Sequence, residues 1–126
     1  EDIKITGHAI EVRINAEDPR THVPSPGVIT SYHPAGGPGV RVDSAVYSGY
    51  TVQPFYDSLI AKLIVKGKTR EGCIQKLLVA LDEFIIEGVK TNIEMHRRIL
   101  AHPEFKKGSI FTKFLEKIDL FPEGKT

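Results

Sequence analysis

The spacing of apolar residues changes period near the middle of the chain, and that change restricts the fold more than any other feature. Up to residue 66 the apolar positions recur every second residue; from residue 70 they recur every third or fourth. In "GHAIEVRINAEDP" (7–19), His8, Ile10, Val12, Ile14 and Ala16 fall on one side of an extended chain. Ala9, Glu11, Arg13, Asn15 and Glu17 fall on the other, a pattern that predicts a half-buried strand with one polar face. "VITSYH" (28–33) and "VRVDSAV" (40–46) alternate in the same way, so each is expected to be one strand. In "SLIAKLIVKG" (58–67), Leu59, Ala61, Leu63 and Val65 share a face while Ile60 and Ile64 flank Lys62 on the other. A strand apolar on both faces is expected inside its sheet, covered on each side. Prolines and glycines in "DPRTHVPSPG", "PAGGPG" and "SGYTVQPFYD" place loops between these runs.

The second half reads as helix. Thr69 can cap a helix over roughly 70–85 in which Ile74, Leu77, Leu78, Leu81, Phe84 and Ile85 follow the helical repeat, with Gly88 ending the segment. Cys73 falls on the apolar side of that helix. "TNIE" offers a capping box, Thr91 with Glu94, for a second helix reaching about Leu100. "HPEFKKGS" turns the chain, and "FTKFLEKI" predicts a short last helix. Strands first and helices later make an α+β fold with a mainly antiparallel sheet. The 126 residues fit one domain, 1–126.

Composition removes several classes of function. A net charge of +1 gives no bulk electrostatic case for nucleic acid or an acidic membrane as partner. No apolar run approaches the roughly 20 residues of a membrane span. Cys73 is the only cysteine, so no intrachain disulfide or cysteine-built metal site can form, which fits a reducing compartment; a cytoplasmic location is expected, or the mitochondrial matrix if the source is eukaryotic. The five histidines form no HxxxH or HxH pair, so no metal site is expected. The charged opening "EDIK" is unlike a signal peptide, and the chain starts without Met at what reads as a strand edge. We expect an excised piece of a longer protein.

Most motifs point nowhere in particular. "HPAGGPGVR" has no lysine after its glycines and matches neither GxxxxGK[ST] nor GxGxxG, so a hairpin connection is expected there. No GxSxG elbow occurs. Glu17 and Asp18 read as strand-end and turn residues, and Tyr56 and Asp57 as a hydrogen-bonded strand entry. Arg13 leaves two readings open. It is either a surface partner of Glu11 or part of a polar face lining an anion site.

Five strings carry a resemblance. "GHAIEVRINAEDP", "PSPGVIT", "GGPGVRVDS", "PFYDSLIAKLIVKGKTRE" and "GVKTNIEMHRRIL", in this order from about Gly7 to Leu115, resemble the C-terminal domain of biotin carboxylase. That family includes the ATP-dependent component of acetyl-CoA, propionyl-CoA and pyruvate carboxylases. The resemblance implies a ligase that activates bicarbonate as carboxyphosphate with ATP and Mg²⁺, then carboxylates N1 of biotin. It also implies partners: an ATP-grasp domain of the same parent chain, a biotin carboxyl carrier domain, a carboxyltransferase component and a homodimer. The family's ATP lid, metal-binding glutamates, catalytic arginine motif and general base all precede this segment, so the fragment alone is expected to bind no cofactor and to be inert. One catalytic residue carries over: Arg13, lying against bicarbonate and biotin. Glu11 and Asn15, two residues either side, are candidates to orient it. Gly36–Arg41 matches a dimer contact in some members, with Arg41 its basic residue, although Pro38 stands where some have an aromatic. A non-catalytic assembly module and the matching domain of another ATP-grasp ligase are the alternatives.

Overall fold

The computed structural model describes residues 3–6, 9–53 and 58–102. In chain order it contains β1 (Ile3–Thr6), β2 (Ala9–Asn15), β3 (Gly27–Val28), β4 (Ser31–His33), β5 (Val40–Ser44), β6 (Thr51–Val52) and β7 (Leu59–Lys66). Helix α1 (Arg70–Glu83), strand β8 (Ile85–Glu87) and helix α2 (Ile93–Ala101) follow. The main sheet has four antiparallel strands in the order β1-β2-β7-β5. Two short antiparallel pairs, β3 with β6 and β4 with β8, stand beside it. This is the expected α+β arrangement of strands first and helices after.

Alternation in β2 is realised residue by residue. Ile10, Val12 and Ile14 are buried, while Ala9, Glu11, Arg13 and Asn15 are half-buried. Ala61, Leu63 and Val65 of β7 join them in one core with Cys73, Ile74, Leu77 and Leu81 of α1. Each large aliphatic side chain taken out of water this way contributes about 1.5–3 kcal/mol before chain entropy is charged against it. Thr69 caps α1 as expected, its hydroxyl accepting the Gly72 N–H at 2.9 Å.

Other expectations fail, each for a local reason. β7 lies between β2 and β5 as expected of an inner strand, yet neither face is covered throughout: Leu59 on one side and Lys62 and Ile64 on the other are half-buried. Helix α1 stops at Glu83, not at 85, because Phe84 turns extended and Ile85–Glu87 pairs with β4. Ile85, expected in the helix's apolar stripe, is 48% exposed. A branched Ile85–Ile86 pair suits a short strand better than a last helical turn.

The run 28–33 is two strands, not one. Between them Ile29 donates its N–H to the Tyr50 carbonyl and Thr30 to the Glu87 carbonyl, both at 2.8 Å, as the chain changes partner. The expected loop 48–57 contains β6, which supplies the partner for β3. β5 ends at Ser44, two residues before the expected 46. The capping box at Thr91 does not form. The N-cap is Asn92, and Glu94 reaches forward to Arg97 at 3.2 Å and Arg98 at 2.9 Å. Tyr56, Asp57, His8 and the last helix expected at "FTKFLEKI" lie outside the described residues.

Candidate functional site

The polar face of β2 continues across the sheet. Cross-strand register sets Arg13 opposite Lys62 of β7, and Lys62 opposite Asp43 of β5. The next row sets Glu11 opposite Ile64, and Ile64 opposite Arg41. Arg41 is exposed on the edge strand and pairs with Asp43, Nε to Oδ1 at 3.1 Å. Like charges directly opposite each other weaken a sheet. Arg13 beside Lys62 is unfavourable as a pair, while Asp43 opposite Lys62 and Glu11 on the face of Arg13 bring opposite charge to the same surface.

The backbone at Arg13 is held from an unexpected side. Among the described residues the β1–β2 ladder runs from the Thr6/Ala9 pair to the Ile3/Val12 pair, and beyond it the start of α2 bonds to Arg13 and Asn15. Asn15 donates its N–H to Asn92 Oδ1 (2.9 Å), and Asn92 donates its own N–H to the Asn15 carbonyl (3.2 Å). Asn92 Nδ2 donates to the Arg13 carbonyl at 3.1 Å. His96 Nε2 lies 2.8 Å from the same oxygen. A carbonyl oxygen only accepts, so that nitrogen carries the hydrogen. Asn92 thus continues the strand edge with one side chain and one peptide group. This explains why it does not cap α2 with its side chain. On the other edge of β2 the ladder to β7 has a bulge between Ile14 and Asn15. Bulges re-aim neighbouring side chains and are common beside active sites.

A polar network lies beneath this edge. Glu17, 7% exposed, accepts from Asn92 Nδ2 at 3.2 Å and from Asn15 Nδ2 at 3.1 Å. Glu17 is therefore a buried acceptor, not simply a strand-end residue. Asn15 shares the face of Arg13, but its amide is engaged with Glu17. Glu11 is half-buried two residues from Arg13 on the same face. Asp18 is the turn residue expected, its Oδ1 accepting from Arg20 N–H (2.8 Å) and Thr21 N–H (3.2 Å). Those two bonds, with Lys90 at 3.2 Å, hold its carboxyl below the usual carboxylate range. Asp18, Pro19, Arg20, Thr21, Lys90 and Thr91 line an open cleft of about 520 Å³, and Arg13 is not in its lining. Among the described residues no group of three His, Cys, Asp or Glu converges as metal ligands would.

Comparison with known proteins places the chain in a known family. The profile of the family described as "Biotin carboxylase C-terminal domain" matches residues 11–117. The chain belongs to that family. It is 57% identical over 117 residues to a biotin carboxylase of Haemophilus influenzae, covering 93% of this chain and 26% of that protein. It superposes with a TM-score of 0.88 on pyruvate carboxylase from Rhizobium etli, at 35% identity, covering 98% of this chain and 12% of that one. The biotin carboxylase domain dimer of Hydrogenobacter thermophilus 2-oxoglutarate carboxylase, solved with MgADP, ADP and bicarbonate, superposes with a TM-score of 0.83 at 43% identity. There the match covers 90% of this chain and 25% of the other. The chain spans about a quarter of the length of the biotin carboxylases it matches. Among the described residues no helix is long and apolar enough to cross a membrane.

Proposed function

We propose that this domain completes the bicarbonate and biotin pocket of an ATP-dependent biotin carboxylase, with Arg13 as the catalytic residue it contributes. The observation that carries the reading is the half-buried Arg13 on the polar face of the strand that belongs to the family's "GHAIEVRINAEDP" block. A guanidinium stays charged at any working pH and offers planar paired donors to a carboxylate-like anion. When N1 of biotin loses its proton, negative charge grows on the ureido oxygen, and a fixed cation there lowers the barrier. Partial burial of Arg13 strengthens that attraction relative to open water.

The same reading assigns ATP and Mg²⁺ to the ATP-grasp portion of the parent chain, in the part of the relatives that this chain does not span. Biotin arrives on a carrier domain, and a carboxyltransferase component takes the product. Arg41, exposed on the outer strand β5, serves a homodimer contact, and Glu11 and Asn15 border Arg13. The domain works as one unit over residues 1–126 in the cytoplasm or mitochondrial matrix.

The test uses the full-length protein with ATP, Mg²⁺, bicarbonate and free biotin. The expected result is bicarbonate-dependent ATP hydrolysis with acid-labile carboxybiotin as product, and no turnover by the purified 126-residue chain. Full-length protein that hydrolyses no ATP in response to bicarbonate overturns the proposal.

A further inference from the structure

The Arg13 carbonyl is an unusual acceptor. It takes two donors, Asn92 Nδ2 at 3.1 Å and His96 Nε2 at 2.8 Å, and both come from the first turns of one helix. His96 and Asn92 are both 0% exposed. A buried histidine presents two ring nitrogens to be accommodated away from water, which an aliphatic residue would avoid. Its placement needs a reason beyond filling the core.

The position of the bond supplies one. Arg13 is the last residue but one before the bulge in the β2–β7 ladder. That ladder therefore becomes irregular within two residues of the arginine. Regular strand pairing cannot by itself fix the direction in which its long side chain leaves the sheet. On its other edge the donors from α2 hold the Arg13 peptide directly. Since Arg13 donates a planar fork, a small rotation of its peptide plane is magnified along the side chain. A misplacement of about 1 Å at a reacting group can cost about 10²-fold in rate.

We propose that His96 is a positioning residue for Arg13, with its Nε2–H, assisted by Asn92, locking the Arg13 peptide so that the guanidinium addresses the anion. This inference rests on the Arg13 reading above. His96 touches no substrate and acts only through the strand it holds. It needs to be a hydrogen-bond donor of about the right length, and no charge on the ring is required.

The experiment is a double-mutant cycle in the full-length protein, read as biotin carboxylation with free biotin. His96→Met removes the donor at similar length, and His96→Gln keeps an amide donor. Each is made in the wild-type and in the Arg13→Ala background. His96→Leu replaces the methionine variant if that one does not accumulate folded. The expected result is a fall in kcat of about 10-fold to 10²-fold for His96→Met. The KM for ATP should not change, and His96→Gln should recover most of the rate. In the Arg13→Ala background the same change should cost less than about 2-fold, since groups acting as a unit are not additive. An equal loss in both backgrounds, or no loss with Arg13 intact, overturns the positioning role while leaving the Arg13 reading in place. A normal rate for Arg13→Ala alone overturns both, because nothing would then remain to be positioned.

Discussion

Replacing Asn92 by alanine should be among the most damaging single changes in the described part of the domain. The side chain is fully buried and makes three hydrogen bonds, to Asn15 N–H, to the Arg13 carbonyl and to Glu17 Oε1. A neutral bond of this kind contributes about 1 kcal/mol net, and one to a charged group about 1.5–3 kcal/mol. Two of the former and one of the latter give about 4 kcal/mol, with some relief because His96 still donates to the Arg13 carbonyl and Asn15 Nδ2 still donates to Glu17. The expected loss is therefore about 3 kcal/mol, read as a shift in urea midpoint at unchanged m-value. Asn92→Asp sharpens the test. It has nearly the same shape and retains an acceptor for Asn15 N–H, but it turns the donor aimed at Glu17 and the Arg13 carbonyl into a second oxygen. On propensity or volume it should be milder than alanine. On the network it should be as harmful or worse near neutral pH, because two neighbouring carboxyls resist sharing a buried site. Alanine within about 0.5 kcal/mol of wild type, the range of an ordinary surface change, would refute the network account.

Two further outcomes follow from particular residues. Gly88 has φ +104°, and a Cβ there would collide with the Val28 carbonyl oxygen, so Gly88→Ala should lower stability by about 2–4 kcal/mol in a urea melt. Backbone hydrogen bonds from Arg20 and Thr21 hold the Asp18 carboxyl below the usual carboxylate range, so its contribution is present above that range and is lost as pH falls through the lowered value. Asp18→Asn should flatten the acid limb of the stability curve below about pH 4, and urea midpoints measured from about pH 2.5 to pH 6 check it.

Much of the fold is legible wherever one physical rule acts alone. β2 and β7 declare themselves by alternation and by a long apolar run, and α1 by its Thr69 cap and helical repeat. The two-residue strands β3 and β6 are not legible, because Gly27–Val28 and Thr51–Val52 are too short for any period and exist only through each other. The end of α1 is missed since Phe84 and Ile85 fit a helical stripe as well as they fit a strand, and only pairing with β4 decides. Thr91 and Glu94 have the spacing of a capping box, but Asn92 is drawn to the edge of β2 at Asn15, which lies 77 residues away in sequence.

The candidate site divides in the same way. Arg13, Glu11 and Asn15 share a face because strand alternation says so. Asn92 and His96 carry no local signal of their task. An asparagine next to a helix start reads as a cap, and a histidine within "EMHRRIL" reads as an ordinary helical residue. Inward-turned Glu17 is hidden similarly, since "AEDP" describes a turn and says nothing of what lies beneath it. Long-range partners of this kind are set by tertiary packing, and no window of neighbouring residues contains them.

The most direct measurement is the rate of biotin carboxylation by Arg13→Ala and Arg13→Lys in the full-length protein, beside urea melts of each variant. If the guanidinium stabilises charge on the ureido oxygen, alanine should slow the reaction by about 10²–10³-fold. Lysine should recover only part of that, because it keeps the charge but lacks the planar fork. ATP affinity and folding should hold in both. Arg13→Ala that carboxylates biotin at the wild-type rate, with a stability change of at most about 1 kcal/mol, would make Arg13 a surface partner of Glu11 and contradict the account.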